Sequence, residues 1–255
     1  MGYVLGFIRL LFFGVLLAIF MLRLAVVSLF LGYSETRALH HRRQFIRTMM
    51  PILGIRLEVT GALPDDPGTA LYVSNHRSYL DPIVVMHEIL AYPVAKAEVS
   101  SWPLIAQGVK MTGIIFVQRD EQGSRVAARK AIDQSFRAHK SIFICPEGTT
   151  HCYRKTIEFR RAAFYIAAEQ QIPVYPVAVE YANRAAAFID RDQFLPHFLK
   201  LFGRLRIPIF VEFGPVMRDT DGGRLLNATQ QWIDEACIRL QTAHQLDWLR
   251  ENPTT

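Results

Sequence analysis

The chain has 255 residues, 51% of them hydrophobic, and a mean hydropathy of +0.14, more apolar than a soluble domain of this size requires. Its 29 Lys plus Arg outnumber 23 Asp plus Glu, and residues 1–60 alone hold seven Arg against two Glu, which is five of the net six positive charges. A basic block beside an apolar block points to an anionic membrane surface and away from nucleic acid, and three cysteines (Cys145, Cys152, Cys237) without CxxC spacing exclude a disulfide scaffold.

In chain order, the first 33 residues contain only seven that are not apolar: Gly2, Gly6, Arg9, Gly14, Arg23, Ser28 and Gly32. The run is too long for a signal peptide and has no small-residue cleavage site. Arg9 and Arg23, 14 positions apart, fall on nearly one helical face, about 21 Å apart along the axis. Two arrangements satisfy this: a single span with each Arg reaching its own interface, or a helix lying in one leaflet with both facing head groups. Residues 35–53 read as a second, interfacial helix with Leu39, Ile46, Met49, Met50 and Leu53 on one side and Arg42, Arg43 and Arg47 elsewhere; a packed amphipathic core helix is the alternative. Five Arg between residues 33 and 60 mark this side as cytoplasmic. Residues 1–53 are therefore expected to anchor the protein to membrane phospholipid, and residues 54–255 to form one domain.

That domain alternates β-rich runs (55–60, 70–74, 94–97, 114–117, 141–145, 174–180, 207–213) with helical ones (82–91, 102–112, 124–140, 159–170, 223–249). Continuous apolar strands such as Ile142-Phe143-Ile144 imply a sheet covered on both faces. The expected fold class is α/β, a mixed sheet flanked by helices, with the N-terminal anchor added to it.

The sharpest local feature is Val73-Ser74-Asn75-His76-Arg77-Ser78-Tyr79-Leu80-Asp81-Pro82, at the end of a predicted strand, where α/β sheets build their sites. Asp81 before Pro82 has the pattern of an N-cap with proline at the first helical position. On a tight turn the His76 ring can also meet the Asp81 carboxylate, which would fix the imidazole tautomer and stabilise the imidazolium, making His76 a general base.

Three later blocks keep it company in order: Gly113-Ile114-Ile115-Phe116-Val117-Gln118-Arg119, then Ile142-Phe143-Ile144-Cys145-Pro146-Glu147-Gly148-Thr149-Thr150, then Ile172-Pro173-Val174-Tyr175-Pro176-Val177-Ala178-Val179. Together these four blocks resemble the glycerolipid acyltransferase family, most closely its 1-acyl-sn-glycerol-3-phosphate acyltransferases. The resemblance implies a glycerol-3-phosphate acyltransferase-like sandwich, with His76 as general base and Asp81 as its orienting partner. It also implies Arg119 near the acceptor's phosphate, Glu147, Gly148 and Thr149 around the acceptor, and Lys96 as a second phosphate contact. Read from the residues alone, Arg119-Asp120-Glu121 has a solvated surface turn as its alternative, and Lys96 an ordinary surface lysine. The chain departs from the family pattern at Thr150, where many relatives have Arg, at Ala162, where Gly is usual, and at Gln118, where an acidic residue is frequent.

The implied reaction moves an acyl group from acyl-CoA or acyl carrier protein to the free hydroxyl of lysophosphatidic acid, giving phosphatidic acid on the cytoplasmic face of a bacterial inner membrane. Such chemistry needs a base, oxyanion donors and an acceptor clamp, and no cofactor or metal; backbone amides near the helix start are the expected donors. Glycerol-3-phosphate, another phospholipid-derived lysolipid or an amino-acid-derived lysolipid is the alternative acceptor, and hydrolysis of a lipid or thioester the alternative reaction.

Overall fold

The computed structural model describes residues 2–61, 63, 67–96, 113–117, 122–189 and 192–252, and the backbone alone at 96, 116, 117 and 122–125. All seven apolar runs form strands: β1 (Ile55–Thr60), β2 (Leu71–Ser74), β3 (Tyr92–Lys96), β4 (Ile115–Val117), β5 (Ile142–Ile144), β6 (Val174–Tyr181) and β7 (Ile207–Phe213). They join in the order β1-β7-β6-β2-β5-β3-β4, parallel throughout except where β6 meets β7. Alternation along the strands sends Tyr72, Phe143, Tyr175 and Val177 to one face and Leu71, Val73, Ile142, Ile144 and Val174 to the other. Both sets are buried, so helices cover both faces.

One cover is built from α4 (Gln122–Arg137), α5 (Ala162–Glu169) and α7 (Gly222–Ala243), which contribute Ile132, Phe136, Phe164, Ala167, Ile233 and Cys237. The other holds α2 (Glu35–Ile52), the short α3 (Asp81–Val85) and α6 (Phe194–Leu201). The expected helix over 102–112 lies outside the described residues. Helix α6 was not expected, because Pro196 breaks the helical pattern of its sequence. Proline there sits in the first turn, where its missing N–H deprives no intrahelical carbonyl.

The stripe Leu39, Ile46, Met49, Met50 and Leu53 is buried, most of it in the same core as β1, β6 and β7, so α2 takes the packed of its two readings. Its arginines also serve the protein. Buried Arg42 donates to the carbonyls of Ala91 and Gly113, Arg43 to that of Glu88 at 3.4 Å, and Arg47 to that of His87 at 3.0 Å. Burial lowers Arg42 to about 10, still a cation at neutral pH. Apart from the one to Gly113, these bonds draw on carbonyls that follow α3, whose helix ends at Val85 and continues only as a turn to Ile89, short of the expected residue 91.

Helix α1 (Gly2–Leu31) is about 45 Å long and apolar enough to cross a membrane. Its first half is docked on the domain. A Cβ on Gly6 would lie 2.3 Å from the Leu199 carbonyl oxygen, so only glycine lets α1 approach α6 this closely. Arg9 does not reach for head groups: it donates to the carbonyls of Phe202 (2.9 Å), Arg204 and Leu205 (3.4 Å), which satisfies the chain end of α6. Arg23 donates to Gln44 on α2 at 3.3 Å. The outward face, including Val4, Phe7, Ile8, Leu11, Phe12, Val15, Ile19, Leu22 and Val26, is a continuous exposed apolar stripe at helical spacing.

Candidate active site

Strand β2 lies between β5 and β6 in the middle of the sheet. Just past its end, Asn75 clamps β6, its amide donating to the Val179 carbonyl and accepting from the Val179 N–H, both at 2.8 Å. The chain must turn there, and His76 and Asp81 meet. His76 Nδ1 lies 2.7 Å from Asp81 Oδ2; the His76 side chain is 21% exposed and that of Asp81 fully buried.

The Asp81 carboxylate also accepts from the backbone N–H groups of Arg77 (2.7 Å) and Ser78 (2.8 Å) at Oδ2, and from the Tyr181 hydroxyl (2.6 Å) at Oδ1. Burial, and then the Asp81 charge, push the Tyr181 hydroxyl well above its ordinary range, so it stays a donor. Since the ionised carboxylate can only accept, the network assigns the proton to Nδ1. The lone pair of Nε2, which has no partner among the described residues, is thereby free to take a proton.

Two expectations change. Asp81 is the first residue of α3 and caps nothing: Leu80 holds the cap position in helical conformation, and the carboxylate points back into its own loop. The amides of Arg77 and Ser78, near the helix start where oxyanion donors were expected, are given to Asp81.

A second layer lies beneath this pair. Glu147 is buried with both oxygens engaged: Oε1 accepts from His76 N–H at 2.6 Å, and Oε2 from Ile157 N–H at 2.8 Å and from His151 Nε2. Arg77, which only donates, lies 3.2 Å from His151 Nδ1, and Tyr153 N–H donates to the same nitrogen. His151 thus accepts at Nδ1 and faces Glu147 with Nε2. Glu147 supports the His76 backbone, and an acceptor would find no free oxygen on it.

The Arg77 guanidinium is fully buried and pairs with Glu180 Oε1 at 2.9 Å; Gln241 on α7 donates to the same oxygen at 2.9 Å. Burial, the largest single influence, would lower Arg77, but the charge and hydrogen bond of Glu180 together with the other negative groups around it, Glu147 among them, outweigh it and raise the guanidinium further. Arg77, His151, Glu180, Tyr181 and Gln241 went unnoticed in the sequence as site residues. Only Arg77, buried in the middle of the motif, stood where a signal was available.

Of the other expected site residues, Gly148 lies at φ +74° in the loop after β5, and Thr149 beside it is exposed. Lys96 ends β3, with only its backbone described, and Arg119 lies outside the described residues. The Thr150 hydroxyl donates to the Phe188 carbonyl. Cys145 is half-buried, with Sγ within 4.8 Å of ligand atoms on both His76 and Asp81. The trio has the spacing of a metal site, but the Asp81 oxygens are already committed to four donors.

A mixed α/β/α sandwich with a buried carboxylate behind a half-exposed histidine, at the end of a central strand, defines the class of site. A model of the Acyltransferase family matches residues 56–180, which hold β1 from its second residue, all of β2–β5, most of β6 and the whole His76–Asp81 loop, and through this segment the chain is similar to that family. It is 30% identical over 165 residues to a lyso-ornithine lipid O-acyltransferase of Pseudomonas aeruginosa, covering 62% of each chain. It is 30% identical over 133 residues to human 1-acyl-sn-glycerol-3-phosphate acyltransferase alpha, covering 50% of this chain and 47% of that one. The matched part thus spans between about half and three-fifths of these relatives. The crystal structure of the 1-acyl-sn-glycerophosphate acyltransferase PlsC from Thermotoga maritima superposes with a TM-score of 0.64 over 89% of this chain and 96% of that one, at 17% identity, a likeness of fold.

Proposed function

We propose that the protein transfers an acyl group from an acyl thioester, acyl-CoA or acyl carrier protein, to the free hydroxyl of lysophosphatidic acid. The observation that carries this reading is the His76–Asp81 pair, with its carboxylate desolvated and saturated and Nε2 left open. Nε2 takes the proton of the lipid hydroxyl as that oxygen attacks the thioester carbonyl carbon. The tetrahedral intermediate collapses by breaking the carbon–sulfur bond, and the departing sulfur takes the proton back from Nε2. The products are an ester and a free thiol, with no net gain or loss of protons. The buried Asp81 stabilises the imidazolium between the two transfers.

A second acceptor is favoured by two observations. Thr150 puts no cation after Pro146-Glu147-Gly148-Thr149, and the Pseudomonas relative is named for a lyso-ornithine lipid. An amino-acid-derived lysolipid carrying a carboxylate would then be the substrate.

Incubating the purified protein with labelled acyl-CoA or acyl carrier protein and a panel of lysolipids, then identifying products by mass, tests both. Diacylated product from lysophosphatidic acid is expected. Free fatty acid as the sole product would replace acyl transfer with hydrolysis.

The exposed stripe of α1 is assigned to lipid, with the helix lying along one leaflet. Gly6 and Arg9 fasten the start of α1 to α6, so Gly2 and the His76 loop belong to the same, cytoplasmic side, where acyl thioesters are made. Labelling of a Gly2→Cys variant lacking the native cysteines by an impermeant reagent from the outside of intact cells would reject this arrangement.

A further inference from the structure

A cavity of about 510 Å³ opens beside the His76–Asp81 loop, its walls formed by the end of β5, the middle of α4, the loop after β5 and the start of α5. It reaches the chemistry through Glu147, which holds the His76 backbone, and through Cys145, whose sulfur lies within 4.8 Å of the His76–Asp81 pair. Its floor is apolar, with Ile132, Ile144 and Phe159. Its polar side carries Arg129, Arg160 and Arg161 against Glu158 and the fully engaged Glu147.

Arg160 stands closest to the loop. Its backbone N–H donates to the Pro146 carbonyl at 3.0 Å, and its guanidinium lies over Gly148, where a Cβ would come within 2.8 Å of Cζ and Nε. Gly148, at φ +74°, thus makes room for the guanidinium as well as for the turn. Arg160 is exposed, and none of the hydrogen bonds or ion pairs among the described residues involves its side chain, whereas the arginines of α2, Arg77, Arg137, Arg224 and Arg239 all have protein partners. Thr150, two residues beyond Gly148, is turned away to Phe188.

We propose that Arg160 is the specificity-determining cation for the acceptor, gripping the anionic head group of a single-chain lipid in this cavity while the lipid hydroxyl reaches His76. This rests on the acyl-transfer reading above. A planar guanidinium suits a phosphate monoester or a carboxylate, either of which it can bind through two N–H groups.

The test compares Arg160→Ala and Arg160→Lys with the wild type on three acceptors, lysophosphatidic acid, lyso-ornithine lipid and uncharged monoacylglycerol, measuring kcat and KM for acceptor and donor. Arg160→Ala should raise KM for the preferred anionic acceptor roughly 10- to 100-fold, the size of a lost charge-assisted hydrogen bond. It should leave kcat/KM for monoacylglycerol and KM for acyl-CoA unchanged, and Arg160→Lys should recover part of the loss. Whichever anionic acceptor shows the effect identifies phosphate or carboxylate as the group held. An equal loss on charged and uncharged acceptors, or none on either, overturns the assignment of Arg160 while leaving acyl transfer standing. If the wild type acylates none of the three, the functional reading itself fails.

Discussion

The floor of the site and its rim are built on opposite principles. On the floor, Arg77, Asp81, Glu147, Glu180 and Tyr181 are buried, and Asp81 and Glu147 have both carboxylate oxygens bound by donors from the protein. At the rim, Thr149, Arg129, Arg160 and Arg161 are exposed, and none of the ion pairs among the described residues involves those three arginines. The difference separates two tasks. A base works only if its tautomer is fixed before substrate arrives, which demands preorganised, desolvated partners. A head-group clamp must shed water and accept a ligand, so its cations stay solvated until used.

The largest effect should come from His76→Ala, which leaves the floor folded and removes the proposed base: a loss of about 10² to 10⁴ in turnover with unchanged membrane association is expected. Asp81→Asn should follow closely, because an amide in place of the carboxylate neither fixes the same tautomer nor stabilises an imidazolium. Near-wild-type turnover by purified His76→Ala would remove the comparison's premise.

Next comes Arg77→Met. Removing one partner of a buried ion pair strands the other, and Glu180 would lose the charge that offsets its burial, at a cost of about 3–5 kcal/mol. The double variant Arg77→Met/Glu180→Leu should be more stable than the single one in denaturant unfolding, since no unpaired charge is left behind. If both unfold at the same denaturant concentration, the pair does not couple the catalytic loop to β6 and α7.

These cases show what could be read from the sequence. Strands were legible because a sheet covered on both faces writes itself as uninterrupted apolar runs. The His76–Asp81 pair was legible because five residues on one turn bring the two together. The floor was not, because its partners come from distant parts of the chain: Arg77 and Glu180 are separated by 103 positions and Arg77 and His151 by 74, with no local signal joining them. Arg9 and Arg42 misled for a related reason, since an arginine beside apolar residues suits a head group or a row of carbonyls equally well. The C-terminal helix was read six residues too long because it stops through Gln245 at φ +53°, where no glycine announces the end.

A smaller effect is expected from Tyr181→Phe. The hydroxyl gives one of the four hydrogen bonds that hold Asp81, and the other three remain. Loss of a bond to a buried charge should cost about 1.5–3 kcal/mol in stability, with a turnover loss well short of that for His76→Ala. Turnover as low as in His76→Ala would make Tyr181 part of the chemistry.

The smallest effect should come from an ion pair of the same type as Arg77–Glu180 but placed in water. Arg224 and Asp219 approach to 2.7 Å, closer than the 2.9 Å of the buried pair, with the arginine side chain 68% exposed. The Arg224 hydrogen bonds and then the Asp221 N–H hold Asp219 down from 3.8 to about 2. A carboxylate depressed by folding contributes stability that is complete above about 3.8 and disappears as pH falls through about 2. Solvent and salt screen this contribution, so at neutral pH Asp219→Asn should shift the melting temperature far less than Arg77→Met does. The small difference between wild type and Asp219→Asn should shrink between pH 4 and pH 2 and fade in high salt. A difference that stays constant across that range would mean Asp219 acts through the turn before α7, where it accepts from the Asp221 N–H at 2.7 Å, and owes nothing to its charge.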